Sequence, residues 1–394
     1  MPKKTVEDID VSGKKVLLRV DFNVPMGKDG TISDDTRIRA CLSTIKYLIE
    51  RHARVIICSH LGRPDGKVVG GLRLAPVAQR LSELIGKPVK ALRDCVGPEV
   101  EDEVSRLKNG EVALLENLRF HPEEEANDAN FAQALAKLAD IYVNDAFGAS
   151  HRAHASVVGV AKYLPAVSGF LMEKELKALG GALENPKRPF AAMIGGAKVS
   201  GKLAVLENIV GKVDALLIGG GMAATFIKSQ GYGVGASMVE NDKLDYIRKL
   251  MEKAKSLGVR LLLPQDMVVT DKLEAGFSTK TVPSTKIPDG WIAADIGPRT
   301  IDEFSQELKK CKTVLWNGPV GVFEIPQFAE GTRRLAKVLA GLKATTLIGG
   351  GSTAEAVAEM GLAGKMSHVS TGGGASLEFL EGKVLPGVAV LQDK

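Results

Sequence analysis

Short apolar runs alternate with amphipathic helical stretches along this whole chain, and that alternation is its tightest constraint on fold. In the first half the strand-like runs are residues 16–20, 54–58, 89–92, 112–115 and 141–143. Between the first two, residues 35–52 carry Ile38, Leu42, Ile45 and Ile49 at steps of four, three and four, which places them on one helical face. Residues 74–85 read likewise and close on Gly86, a residue suited to the left-handed helix cap. The second half repeats the scheme, with strands expected at 190–194, 215–218, 259–263, 313–316, 345–348 and 368–370. Helices such as 242–257 and 299–310 fall between them. Regular βα alternation gives parallel strands, right-handed crossovers and helices on both faces. At 394 residues the chain exceeds one ordinary core. The expected fold is therefore α/β, with two Rossmann-like, doubly wound parallel-sheet domains. The halves share a pattern but no close sequence repeat. A helix over 172–183, inside a connection spanning 164–189, is the expected hinge.

Composition narrows the function. A formal charge of +5 suits small anions but is not the concentrated basic face of a nucleic-acid binder, and 5% aromatic residues give no base-stacking platform. No window reaches the roughly 18 apolar residues of a membrane span, and residues 1–10 lack the apolar centre of a signal peptide. Cys41, Cys58, Cys95 and Cys311 are scattered, without C-x-x-C spacing. They read as small buried apolar groups in a reducing compartment, and no cluster of His, Cys and carboxylates stands at metal-ligand spacing. The expectation is a cytoplasmic protein with no nucleic-acid and no membrane partner.

In an open parallel sheet, ligands bind beyond the carboxyl ends of the strands. In the first half those ends read Asp21-Phe22-Asn23, Ser59-His60-Leu61-Gly62-Arg63-Pro64, Glu116-Asn117-Leu118-Arg119 and Asn144-Asp145, followed by His151-Arg152-Ala153-His154. Arg37 opens the first helix. One rim thus gathers Arg37, Arg63, Arg119 and Arg152, whose guanidinium forks match phosphate and carboxylate. In the second half the ends read Gly195-Gly196-Ala197-Lys198, Gly219-Gly220-Gly221, Asn317-Gly318-Pro319, Gly349-Gly350-Gly351 and Gly372-Gly373-Gly374. Glycine between strand and helix lets backbone approach a phosphate and leaves helix N–H groups free to bind it. A polyphosphate site is the expectation there. A solvated surface pair remains the ordinary fate of a single arginine, and tight-turn geometry the ordinary use of a single glycine.

Two motifs imitate other sites. Gly196 to Lys202 fits G-x-x-x-x-G-K, but Leu203 replaces the Ser or Thr of a P-loop. Gly219-x-Gly221-x-x-Ala224 fits a dinucleotide fingerprint with Glu240 at a suitable distance, which leaves a nicotinamide-dependent dehydrogenase as an alternative.

With these residues in view, the sequence resembles phosphoglycerate kinase along essentially its full length. The matching segments are Arg19-Val20-Asp21-Phe22-Asn23-Val24-Pro25, Ser59-His60-Leu61-Gly62-Arg63-Pro64, Glu116-Asn117-Leu118-Arg119-Phe120 and Asn144-Asp145-Ala146-Phe147. They continue through His151-Arg152-Ala153-His154-Ala155-Ser156, Gly195-Gly196-Ala197-Lys198-Val199, Trp316-Asn317-Gly318-Pro319 and Ser370-Thr371-Gly372-Gly373-Gly374-Ala375. The resemblance implies reversible transfer between 1,3-bisphosphoglycerate plus ADP and 3-phosphoglycerate plus ATP, with Mg2+, in a hinge-bending enzyme expected as a monomer. It implies phosphoglycerate held by Asp21, Asn23, Arg37, His60, Arg63, Arg119 and Arg152. It implies nucleotide held by Lys202, Gly220, Gly297, Asn317, Glu324, Gly349, Gly350, Gly351, Ser352 and Thr353. Arg37, Lys198, Gly372 and Gly373 would surround the moving phosphoryl group. The implied layout is a sugar-acid domain over 1–170, a nucleotide domain over 171–375, and a segment 376–394 that returns to the first. One position departs from the family turn, which most often reads G-G-G-D: Ser352 stands where the aspartate meets the metal, so no metal ligand is assigned. A nucleotide-responsive protein that keeps the fold without the reaction is the non-enzymatic alternative.

Overall fold

The computed structural model describes residues 2–394. They divide into two compact units, 2–177 with Val384–Lys394, and Ala178–Lys383. In the first unit six strands, β1 Lys15–Arg19, β2 Arg54–Cys58, β3 Val89–Ala91, β4 Val112–Leu114, β5 Ile141–Asn144 and β6 Ala166–Ser168, form a sheet of order β3-β4-β2-β1-β5-β6. Every pairing in it is parallel. Strand side chains alternate between faces. Val16, Leu18 and Val20 pack on one face with Ile45 and Leu48 of the helix Leu42–Glu50. Arg19 takes the opposite face, where it is buried. The helix expected over 35–52 is two, Thr36–Ala40 and Leu42–Glu50. The break spans one residue, Cys41, whose backbone stays near helical dihedrals, so the apolar face continues. Gly86 closes Ala75–Ile85 at φ +67°, in the left-handed conformation its sequence position suggests.

The second unit holds β7 Phe190–Ile194, β8 Ala215–Ile218, β9 Arg260–Leu262, β10 Asp266–Thr270, β11 Thr279–Pro283, β12 Ile292–Ile296, β13 Thr313–Asn317, β14 Thr345–Gly349 and β15 His368–Val369. Six of them make a parallel sheet of order β15-β14-β13-β7-β8-β9, and the other three an antiparallel sheet of order β11-β10-β12. That small sheet has no counterpart in the sequence reading. β11 is mostly exposed and polar, so no apolar run marks it. β6 is also absent from that reading, being only three residues long.

The helix Phe170–Glu184 runs from one unit into the other. The chain's end returns to the first unit. Lys3 and Asp393 form an antiparallel bridge, the Gly387 amide donates to the Ser150 carbonyl at 2.8 Å, and Asn144 Nδ2 donates to the Gly387 carbonyl at 3.0 Å. The returning stretch begins at Val384, later than the expected 376. Helix Gly374–Leu380 stays with the second unit, where Asn208 Nδ2 donates to the Leu380 carbonyl at 2.8 Å. Among the described residues, no helix is long and apolar enough to cross a membrane.

Candidate active site

The first unit builds its rim from side chains set on a buried polar floor. Asp21 follows β1, and its carboxylate accepts from Arg37 Nη1 and from the Asn23 amide. Asn23 Oδ1 accepts the Gly62 amide at 2.9 Å, which ties the ends of β1 and β2 together. Arg119 rides on a 3-10 turn, Leu118–Phe120, whose preceding Asn117 accepts the Arg119 amide at 3.1 Å. Its Nη1 donates to the Gly62 carbonyl at 2.8 Å, and Glu125 lies 3.0 Å from its Nε. His60 is buried, and burial holds its imidazole well below the ordinary range. The positive charges of Arg19, Arg119, Arg37 and Arg152 add to that effect. Three of the four sequence-selected arginines thus act electrostatically on His60. Arg63 is exposed on the loop after Gly62, and Arg152 Nε lies 3.3 Å from His151 Nε2.

Beneath His60 lies a network that the motif scan does not single out. Arg19 Nη2 donates to His60 Nδ1 at 3.2 Å, and Arg19 Nε donates to Ser156 Oγ at 2.9 Å. Ser156 Oγ then donates to Glu124 Oε1 at 2.6 Å. An arginine can only donate, so His60 Nδ1 accepts and the ring proton sits on Nε2. The signal for Arg19 lies in its strand position: a charged residue inside an apolar β1 run must find a buried partner.

The second unit builds its rim from backbone. The turns after β7, β8 and β13 interlock: Gly195 N donates to Asn317 O at 3.0 Å, Gly196 N to Pro319 O at 3.0 Å, and Gly220 N to Val320 O at 2.9 Å. A Cβ on Gly195 would run into the Pro319 carbonyl, and one on Gly220 would lie 2.6 Å from the Gly196 carbonyl. These glycines serve turn-on-turn packing. Gly351 and Gly373 differ, since a Cβ there meets nothing within 4 Å. Those two positions stand in open space. Asn317 is fully buried; its Oδ1 accepts from Lys202 Nζ, while its Nδ2 has no partner. Burial lowers the Lys202 ammonium to about 8, although the Glu381 carboxylate opposes the shift. Thr353 is buried, and its hydroxyl accepts the Gly318 amide at 2.7 Å, so it braces the turn. Ser352, Lys198 and Glu324 are exposed. Gly372 N donates to Ser370 Oγ at 3.1 Å. Gly297 ends β12 in the small antiparallel sheet, where Asp266 fills the space a side chain would need.

Both lookalikes dissolve in three dimensions. Residues 200–202 form a 3-10 turn and not a phosphate loop. Glu240 lies before helix Leu244–Ser256, far in sequence from the end of β9, and its carboxylate accepts the Ser200 amide at 2.9 Å. A dinucleotide fingerprint needs that acid at the tip of the second strand. Asp94, Cys95 and His121 come together from two loops, too far apart in sequence for ligand spacing to reveal. All four cysteines are free and buried, as their scatter suggests.

Two doubly wound units, one with a guanidinium-rich strand-end rim and one with open glycine turns, define an α/β phosphotransferase for a small anion. A phosphoglycerate kinase family model matches residues 6–383. Phosphoglycerate kinase of Synechococcus elongatus is 59% identical over 400 residues, covering all of both chains, and that of Pelotomaculum thermopropionicum is 58% identical over 394 residues. Solved structures of the enzymes from Coxiella burnetii (42% identity, TM-score 0.90) and Pyrococcus horikoshii (35%, 0.84) each cover 99% of this chain and 98% of their own. The chain belongs to the phosphoglycerate kinase family. It is a kinase that transfers a phosphoryl group reversibly between 1,3-bisphosphoglycerate plus ADP and 3-phosphoglycerate plus ATP; the dehydrogenase alternative has no support.

Proposed function

We propose that the two rims divide the substrates between them. Phosphoglycerate is held in the first unit by Asp21, Asn23, Arg37, His60, Arg63, Arg119 and Arg152. What carries this reading is the electrostatic action of Arg37, Arg119 and Arg152 on a neutral, buried His60. A neutral imidazole with its proton on Nε2 donates to a carboxylate or phosphate oxygen without adding a further charge. The nucleotide is held in the second unit by Lys202, Asn317 and the turn 349–353, with Gly220, Gly297 and Glu324 around it. Support comes from the buried, unpartnered Asn317 Nδ2, a donor awaiting an acceptor.

The donors of the 349–353 turn are amides and the Ser352 hydroxyl. Such a set fits phosphate oxygens better than a resident Mg2+, which prefers carboxylates. Mg2+ would instead be carried by the nucleotide, whose phosphate charge it would neutralise. In the ATP-consuming direction the metabolite's carboxylate attacks, and it is ionised near neutral pH, so no general base is required. Lys198, Arg37 and the amides around Gly372 and Gly373 hold the oxygens of the phosphoryl group in transit. Transfer requires the reacting atoms within about 3–3.5 Å, so the units close around both substrates. The working form is a cytoplasmic monomer.

A coupled assay with bisphosphoglycerate, ADP and Mg2+ tests the division. Arg119→Ala should raise KM for the metabolite and leave ADP affinity unchanged. Equal loss of ADP affinity would overturn it. Solution scattering should show a smaller radius of gyration with both substrates, and no contraction would remove closure.

A further inference from the structure

Three side chains that neither substrate site uses converge beyond β3 and β4, at the edge of the first sheet. Asp94 and Cys95 follow β3, and His121 follows the turn after β4. Their carboxylate, thiol and imidazole ligand atoms lie within 4.8 Å of one another, and they form the one such group among the described residues. His121 Nε2 is 2.7 Å from Asp94 Oδ1, and the Cys95 amide donates to that same oxygen at 2.7 Å. The two loops are already fixed to each other. Leu92 N donates to Leu114 O at 2.9 Å, and Glu116 N to Asp94 O at 3.3 Å. The His121 ring is held beside Phe131, with centroids 5.3 Å apart. Cys95 is fully buried, whereas the side chains of Asp94 and His121 are 52% and 29% exposed. A soft ligand thus sits at the back of the cluster, with an open side in front.

We propose that Asp94, Cys95 and His121 bind a divalent, borderline-soft cation, for which Zn2+ is the best match, with water completing four-coordination. Sulfur, nitrogen and oxygen donors in this number suit zinc, while Mg2+ and Ca2+ call for all-oxygen sets. A His–Asp hydrogen bond that merely pins two loops would account for two of the three residues. It does not by itself bring the Cys95 thiol to the same point as the other two ligand atoms. A bound cation deprotonates a coordinating thiol. The sulfur–hydrogen bond breaks, a sulfur–metal bond forms, and one proton leaves to solvent. The His121 proton shifts from Nε2 to Nδ1 by exchange with water, which frees Nε2 to ligate.

The test is a Co2+ titration of the chelator-treated full chain. One equivalent should bring up a thiolate-to-cobalt charge-transfer band with the intense visible bands of a four-coordinate site, and one equivalent of Zn2+ should bleach them. Cys95→Ala should abolish the charge-transfer band, and His121→Gln should weaken Zn2+ binding by more than the ~10–100-fold that outer-shell changes cost. Far-ultraviolet circular dichroism checks each variant's fold. Should Cys95→Ala fail to fold, His121→Gln and Asp94→Asn carry the test through competition with a zinc-sensitive dye. Absence of the band in the unaltered chain overturns the proposal. So does a band undiminished in Cys95→Ala, or Zn2+ affinity unchanged in both His121→Gln and Asp94→Asn.

Discussion

The two rims occupy the same place on two sheets of the same kind, yet they are made of different material. In the first unit the rim consists of long charged side chains that need a buried polar floor: Arg19, Ser156 and Glu124 under His60. In the second unit it is made of backbone turns packed against one another, with carbonyls where side chains would otherwise be. A side-chain rim can lose one charge and still fold. A backbone rim tolerates no Cβ where the turns touch, but tolerates one where they are open.

The sharpest way to break this contrast is a pair of glycine substitutions. Gly318 has φ +100° and no room for a Cβ beside Gly195. Gly318→Ala should destabilise by about 3–5 kcal/mol in urea unfolding, from overpacking and backbone strain together. Gly351→Ala, in open space, should change stability by no more than about 0.5 kcal/mol and instead weaken ADP binding. Similar unfolding midpoints for the pair would defeat the distinction. Next in size is Lys198→Ala, expected to lower turnover by two to three decades, about 3–4 kcal/mol, with ADP affinity little changed. An unaltered turnover number removes Lys198 from the transfer step.

Ser156→Ala probes the floor of the first rim. It leaves Arg19 Nε and the Glu124 carboxylate each short of a partner, and should cost about 1–3 kcal/mol of stability while raising KM for the metabolite. A wild-type KM would make the network purely structural. The smallest effect expected is a pH dependence in the second rim. Lys202 titrates near 8 in the free protein, below its ordinary 10.5. A bound phosphate restores its charge, so the complex holds more protons than the free protein above pH 8. ADP affinity should therefore fall several-fold between about pH 7.5 and 9. Lys202→Gln should flatten that profile, and a slope that survives the substitution belongs to another group.

Much of this was legible in the order of residues. Continuous apolar runs mark the longer parallel strands and the 3.6 periodicity marks the helices, because each such element buries one face or both in a core and must carry apolar residues to do so. The strand-end rule then points to the rim arginines and glycine turns before any fold is known. β11 escapes because a mostly exposed, polar strand has no apolar face to advertise. The use of each glycine escapes for another reason: Gly195 and Gly351 look alike in sequence, and only neighbouring atoms tell a packed turn from an open one.

The sequence by itself determined the alternation, the two units, and which strand ends carry charge or glycine. All of these follow from interactions between residues a few positions apart. Tertiary structure alone decided that Arg19 lies under His60, that Asn317 keeps a buried amide without a partner, and that Cys95 meets His121. Those contacts join residues separated by tens of positions, so no local pattern records them; only packing brings the atoms within reach.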